Sequence, residues 1–127
     1  MDRIVKIINQ DTTTKNFSYN RWNITATDEN GNEMGYQQNA FEQIILVREN
    51  NKGYNYTTNY QYNSADELVL INDTKDNHFI FTYDSLGRRT KLEDPDLGTW
   101  NYTYDKVGNI IEQLDNRNIT TNFVFDD

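Results

Sequence analysis

The chain has 127 residues, enough for one folding unit, of which 35% are hydrophobic and 13% aromatic, with nine Tyr and a formal net charge of −8. That balance lacks the basic face that nucleic-acid phosphates or an anionic membrane surface require, and the lack of Cys excludes disulfide scaffolds, thiolate zinc sites and cysteine nucleophiles. No apolar run reaches membrane-spanning length and no hydrophobic signal segment follows Met1, so membrane insertion is not expected; Tyr, Thr and Ile in a polar chain point instead to a solvated β-sheet.

In chain order, Ile4 to Ile8 is the first apolar β-run, and Phe17 with Tyr19-Asn20 the first aromatic pair. Phe41-Glu42 precedes the run Ile44 to Val47, and Tyr60 with Tyr62-Asn63 precedes Leu68 to Ile71. Phe79, Phe81 and Tyr83-Asp84 precede Arg88 to Leu92; Trp100, Tyr102 and Tyr104-Asp105 precede Asn109 to Leu114; Phe123 and Phe125-Asp126 close the series. An aromatic residue followed by a polar one therefore recurs at Tyr19, Phe41, Tyr62, Tyr83, Tyr104 and Phe125, with a first step of 22 residues and later steps of 21. Residues 1–127 read as a single repeat array, with Asp2 one period before Asn23, cut within a repeat at both ends so that both sheet edges are left open.

Each repeat predicts two strands. Residues at i and i+2 share a face, so Phe79, Phe81 and Tyr83 line one side, as do Trp100, Tyr102 and Tyr104. The turns Asp84-Ser85-Leu86-Gly87 and Asp105-Lys106-Val107-Gly108 place an Asp that can bond nearby backbone amides before a Gly that suits a left-handed residue. The matching position in the second repeat is Ile45, whose β-branch disfavours that conformation, so the turn before it is expected to depart from the others. The second strands end in Asn50-Asn51-Lys52-Gly53, Asn72 to Asn77, Glu93 to Gly98 and Asp115 to Asn118, all of loop composition. The predicted fold is all-β: tandem 21–22-residue β-hairpin repeats forming one long, antiparallel, curved sheet.

Phe81-Thr82-Tyr83-Asp84-Ser85-Leu86-Gly87-Arg88 and the run from Asp94 through Trp100-Asn101-Tyr102-Thr103-Tyr104-Asp105 to Gly108-Asn109 resemble the YD repeat of the Rhs family. Two strong copies cover residues 81–127, and four degenerate copies precede them in phase. Members of that family include bacterial polymorphic toxins, cocoon-forming subunits of insecticidal toxin complexes, wall-associated proteins and teneurins, in which such repeats wind a sheet into a hollow shell. The resemblance implies a wall rather than the contents it encloses.

Catalytic constellations are scarce. His78 is the single histidine and sits in a polar loop, while Asp84, Asp105 and Asp126 recur with the repeat, as turn capping requires. Asp94 and Asp96 flank Pro95 without the ligand spacing of a calcium loop. No enzyme, cofactor or metal is expected. Trp22 and Trp100 are the candidate ligand contacts, for glycans or a partner protein; Gly87, Gly108, Asp84 and Asp105 are structural turn residues. Six Asn-x-Ser/Thr sequons, at Asn16, Asn23, Asn55, Asn72, Asn101 and Asn118, tilt the expected location towards the cell surface or extracellular space. The expected partners are further copies of the chain, or the rest of a longer Rhs polypeptide.

Overall fold

The computed structural model describes residues 3–8, 14–20 and 22–125. Among them there is no helix, and twelve antiparallel strands follow chain order in one sheet. The strands are β1 (Arg3–Ile8), β2 (Thr14–Asn20), β3 (Asn23–Thr27), β4 (Glu33–Gln38), β5 (Ile44–Asn51) and β6 (Tyr54–Tyr62). They continue as β7 (Leu68–Asn72), β8 (His78–Tyr83), β9 (Arg89–Asp94), β10 (Gly98–Tyr104), β11 (Ile110–Leu114) and β12 (Thr120–Asn122). The chain divides into two compact units, Met1–Tyr60 with Asp73–Lys75, and Gln61–Asn72 with Asp76–Asp127.

In the first unit, cross-strand partners sort the residues onto two unlike faces. One face carries the rows Phe17–Ala26–Met34 and Tyr19–Ile24–Tyr36–Val47. The other carries Ser18–Thr25–Gly35–Arg48–Thr57 and Asn20–Asn23–Gln37–Leu46. Strand β6 is tied to the Asp73–Lys75 segment by Thr74, whose hydroxyl bonds both the amide and the carbonyl of Thr57.

In the second unit Phe79, Phe81 and Tyr83 are half-buried while Ile80 and Thr82 are exposed, and Trp100, Tyr102 and Tyr104 alternate in the same way with Asn101 and Thr103. The period-2 reading of these strands therefore holds residue by residue. Trp100 pairs with Leu92, which in turn pairs with Phe81, so one apolar row crosses three strands. No hydrophobic residue among those described is fully buried. The chain exposes 9646 Å², whereas a compact protein of its mass exposes roughly 7,000 Å². Stability must come from strand pairing, turns and half-buried rows rather than from a central core.

Two sequence expectations need correction. The turn before Ile45 does not depart from the others: it is Asn39-Ala40-Phe41-Glu42-Gln43, and its left-handed residue is Glu42, with φ 62°, not Ile45. Ile45 lies within β5. Phe41 is therefore not a strand-end anchor but a turn residue with 77% of its surface exposed, and Gln38 takes the strand-end position. Phe125 lies beyond β12 and is 54% exposed. A chance aromatic in the turn mimicked the 21-residue step. Asp2 and Asp126, also assigned by the periodicity, lie outside the described residues.

A left-handed backbone costs a side chain about 1–2 kcal/mol. Glu42→Gly is accordingly expected to stabilise the chain by about 1 kcal/mol. Gly108→Val, at φ 100°, should destabilise it by about 1–2 kcal/mol. His78→Ala and Asp96→Ala, both at exposed positions, should be near neutral. Urea denaturation of the four variants checks this ranking, and equal midpoints would contradict the turn assignment.

Candidate functional site

The most repeated arrangement in the molecule is a five-residue clasp. In the turn Asp84–Arg88, Asp84 Oδ1 accepts the amide N–H groups of Leu86 and Arg88 at 2.9 and 3.0 Å. The Gly87 amide donates to the Asp84 carbonyl, and the Asp84 amide donates to the Arg88 carbonyl. The same set closes turns that begin at Asp28, Asn39, Asn63, Asp105 and Asp115. In each, the fourth residue is left-handed: Gly31, Glu42, Asp66, Gly87, Gly108 or Asn118.

The second polar atom of the first residue sets what can stand at the fifth. Asp28, Asp84 and Asp105 present a carboxylate oxygen and face donors: the Asn32 amide, the Arg88 guanidinium and the Asn109 amide. Asn39 and Asn63 present an N–H and face acceptors, Gln43 Oε1 and Glu67 Oε2. Only these pairings leave no donor facing a donor. Asp115 breaks the pattern by binding Arg117, its third residue, through two guanidinium nitrogens, and it is the one buried charged side chain among the described residues.

These bonds hold the carboxyls below the ordinary aspartate value of 3.8: the Arg88 amide does so first at Asp84, the Asn32 side chain at Asp28 and the Ile119 amide at Asp115. At Asp105 burial pushes upward, but the bonds from Asn109 and Val107 together outweigh it.

Neighbouring turns of the second unit also touch. Arg88 Nη1 donates to the Asp105 carbonyl at 3.0 Å, and its guanidinium lies 4.8 Å from the centre of the Tyr104 ring. Tyr83 Oη donates to the Leu68 carbonyl and Tyr104 Oη to the Arg89 carbonyl, one bond repeated at the 21-residue step. Burial pushes the Tyr83 phenol upward, which keeps it a donor. Gly98 has no room for a side chain: a Cβ there would lie 2.2 Å from Asn116 Cγ.

The candidate residues fall into different settings. Asp84 with Gly87 and Asp105 with Gly108 are the first and fourth residues of two clasps in the second unit. Trp100 is half-buried in β10 beside Leu92. Trp22, in the first unit, stands in the two-residue link between β2 and β3 and is 46% exposed. His78 is not a loop residue as expected but opens β8 opposite Asn72, with Nε2 3.5 Å from the exposed Asp76, and Asp94 Oδ1 accepts the amides of Asp96 and Leu97. No group of three or more His, Asp or Glu suited to a metal occurs among the described residues.

Sequence reasoning missed a trough of about 530 Å³ on the polar face of the first unit, floored by Gly35 and lined by Asn23, Gln37, Arg48, Asn50 and Asn55. Its signal was a Gly inside a strand, where Gly is destabilising by roughly 0.5–1 kcal/mol relative to Ala. No protein-family model matches the chain, and no curated protein is significantly similar to it.

Because the clasp carboxyls are depressed, the stability they add is present above pH 3.8 and is lost as pH falls through their lower folded values. The melting temperature is expected to drop below that pH. Asp105→Asn should reduce this acid loss at little cost, since Asn109 can turn its amide to present oxygen. Asp84→Asn should cost more, because it sets a donor against Arg88, and Arg88→Glu should restore the pair. Thermal melts of these variants at pH 7 and pH 3 test both points.

Proposed function

We propose that the chain is a non-enzymatic structural segment of the YD (Rhs) kind, forming part of a β-sheet shell or surface assembly outside the cell. The observation that carries this reading is the use of its polar groups: the recurring Asp and Asn side chains are spent on closing turns. Tyr83 and Tyr104 likewise spend their hydroxyls on neighbouring strands. Carboxylates held in this way by backbone amides serve architecture, not acid–base chemistry. The Asp84 and Asp105 clasps and the tyrosine bonds repeat at the same 21-residue step as the sequence resemblance, which supports a tandem wall built from equivalent hairpins.

Within the chain, β1 and β12 each pair on one side only. An edge strand presents unpaired N–H and C=O groups, and pairing the last strand of one copy with the first of another is a heterologous, head-to-tail contact. Self-association of this kind, or pairing with the rest of a longer Rhs polypeptide, is the proposed mode of assembly. A second reading, a glycan- or protein-binding module, draws on the exposure of Trp22; the half-buried setting of Trp100 favours a packing role there.

Light scattering across a concentration series separates the two: mass that grows with concentration into rings or fibres supports edge pairing between copies, and a persistent monomer refutes self-association in favour of pairing within a longer polypeptide or of the binding module. Trp100→Ala is expected to lower stability by about 1–2 kcal/mol, less than the 3–5 of a fully buried aromatic. Unchanged stability with lost binding would favour the second reading instead.

A further inference from the structure

The second unit exposes apolar side chains at its turns in an ordered way. Leu86 and Val107, 74% and 84% exposed, stand in the β8–β9 and β10–β11 turns. Leu97 and Ile119, 63% and 51% exposed, stand in the β9–β10 and β11–β12 turns. Because antiparallel strands follow chain order, the first two residues lie at one turn edge of the sheet and the last two at the other. Within each pair the turns are two strands apart, about 10 Å at the usual strand spacing. Both edges therefore present apolar side chains at the same interval.

These four residues are held in place. The amides of Leu86, Val107, Leu97 and Ile119 each donate to the carboxylate that opens the turn: Asp84, Asp105, Asp94 and Asp115. Neighbouring turns also brace one another, through Arg88 on the Asp105 carbonyl at one edge and Asn116 against Gly98 at the other. The turn bonds do not call for apolar residues. The third position, filled by Leu86 and Val107, is taken by Asn30 and Arg117 in two other clasps and by Ala65 in a third.

Charge distinguishes the edges. Lys106 precedes Val107 on one, and Asp96 precedes Leu97 on the other; both are exposed, and neither forms an ion pair with another described residue. Two like edges brought together would set lysine against lysine or aspartate against aspartate. Unlike edges bring opposite charges together beside the apolar contacts.

We propose that the two turn edges of the second unit stack between copies, end to end along the strand direction, with Leu86 and Val107 of one chain against Leu97 and Ile119 of a second copy. The contact is heterologous, so it leaves the outer edge of each copy free to repeat it. Four side chains bury far less than the roughly 1,200 Å² of a stable pair, so a single contact is weak and gains strength by repetition. It runs at right angles to the pairing of β1 with β12 and does not depend on it.

The absence of Cys from the chain allows a direct test. Leu86→Cys and Leu97→Cys chains, mixed in equal amounts at high concentration and oxidised with diamide, are expected to give the mixed disulfide in excess of its statistical share. Lys106→Glu in the first chain should reduce that excess, and Asp96→Lys in the second should restore it. Val107→Cys with Ile119→Cys is an independent pair should either of the first two variants fold poorly, as judged by melting temperature. Statistical disulfides, a preference for either homodimer, or an excess indifferent to Lys106→Glu would each overturn the proposal. Rings or fibres that form while the disulfides stay statistical would overturn it too, and would leave β1–β12 pairing standing.

Discussion

The bond on which the architecture depends runs from a single Asp or Asn side-chain oxygen to the amides two and four residues ahead. Made six times among the described residues, it reverses the chain within five residues and delivers the next strand in register. Because no apolar side chain among them is fully buried, there is no core to correct a misplaced strand. Register must be imposed at the turns, and the half-buried rows Phe81–Leu92–Trp100 and Tyr19–Ile24–Tyr36–Val47 then add cross-strand packing, roughly 0.2–1 kcal/mol for each pair.

This division of labour explains what was legible in the sequence. Alternation in Phe79 to Tyr83 and Trp100 to Tyr104 reports which side of a strand each residue occupies, and it does so without tertiary context. Gly87 and Gly108 were equally legible, since a left-handed turn residue favours glycine. Asp66 and Glu42 occupy the same conformation without that signature, held there by the amide bonds of Asn63 and Asn39. The aromatic step therefore falls on Phe41, the third residue of the Asn39 turn, two residues after its first. The step between the left-handed residues Glu42 and Asp66 is longer than the 21 residues that separate Asp66, Gly87 and Gly108, and only the clasp residues reveal it.

The trough was hidden for a different reason. Its residues, Asn23, Gln37, Arg48 and Asn55, come from four strands, and singly each reads as an exposed polar position on a solvated sheet. What unites them is cross-strand register, which no local pattern carries. The two faces of the first unit thus divide their tasks: aromatic and aliphatic rows provide cohesion, while the amide rows are left free of structural duty. In the second unit Arg88, Lys91 and Arg117 are instead held in ion pairs with Asp84, Glu93 and Asp115.

The complementarity inside the clasp also bears on how such a chain changes over generations. In five of the six clasps an Asp at the first position meets a donor at the fifth and an Asn meets an acceptor, so a change at one of these two positions calls for a matching change at the other; Asp115 meets its donor at the third position instead. Each clasp makes its closing bonds within five residues, and only the Asp84 clasp also reaches its neighbour, through Arg88. A hairpin can therefore be copied, lengthened or lost with its own turn intact, and the array can change its number of repeats without any compensating substitution elsewhere.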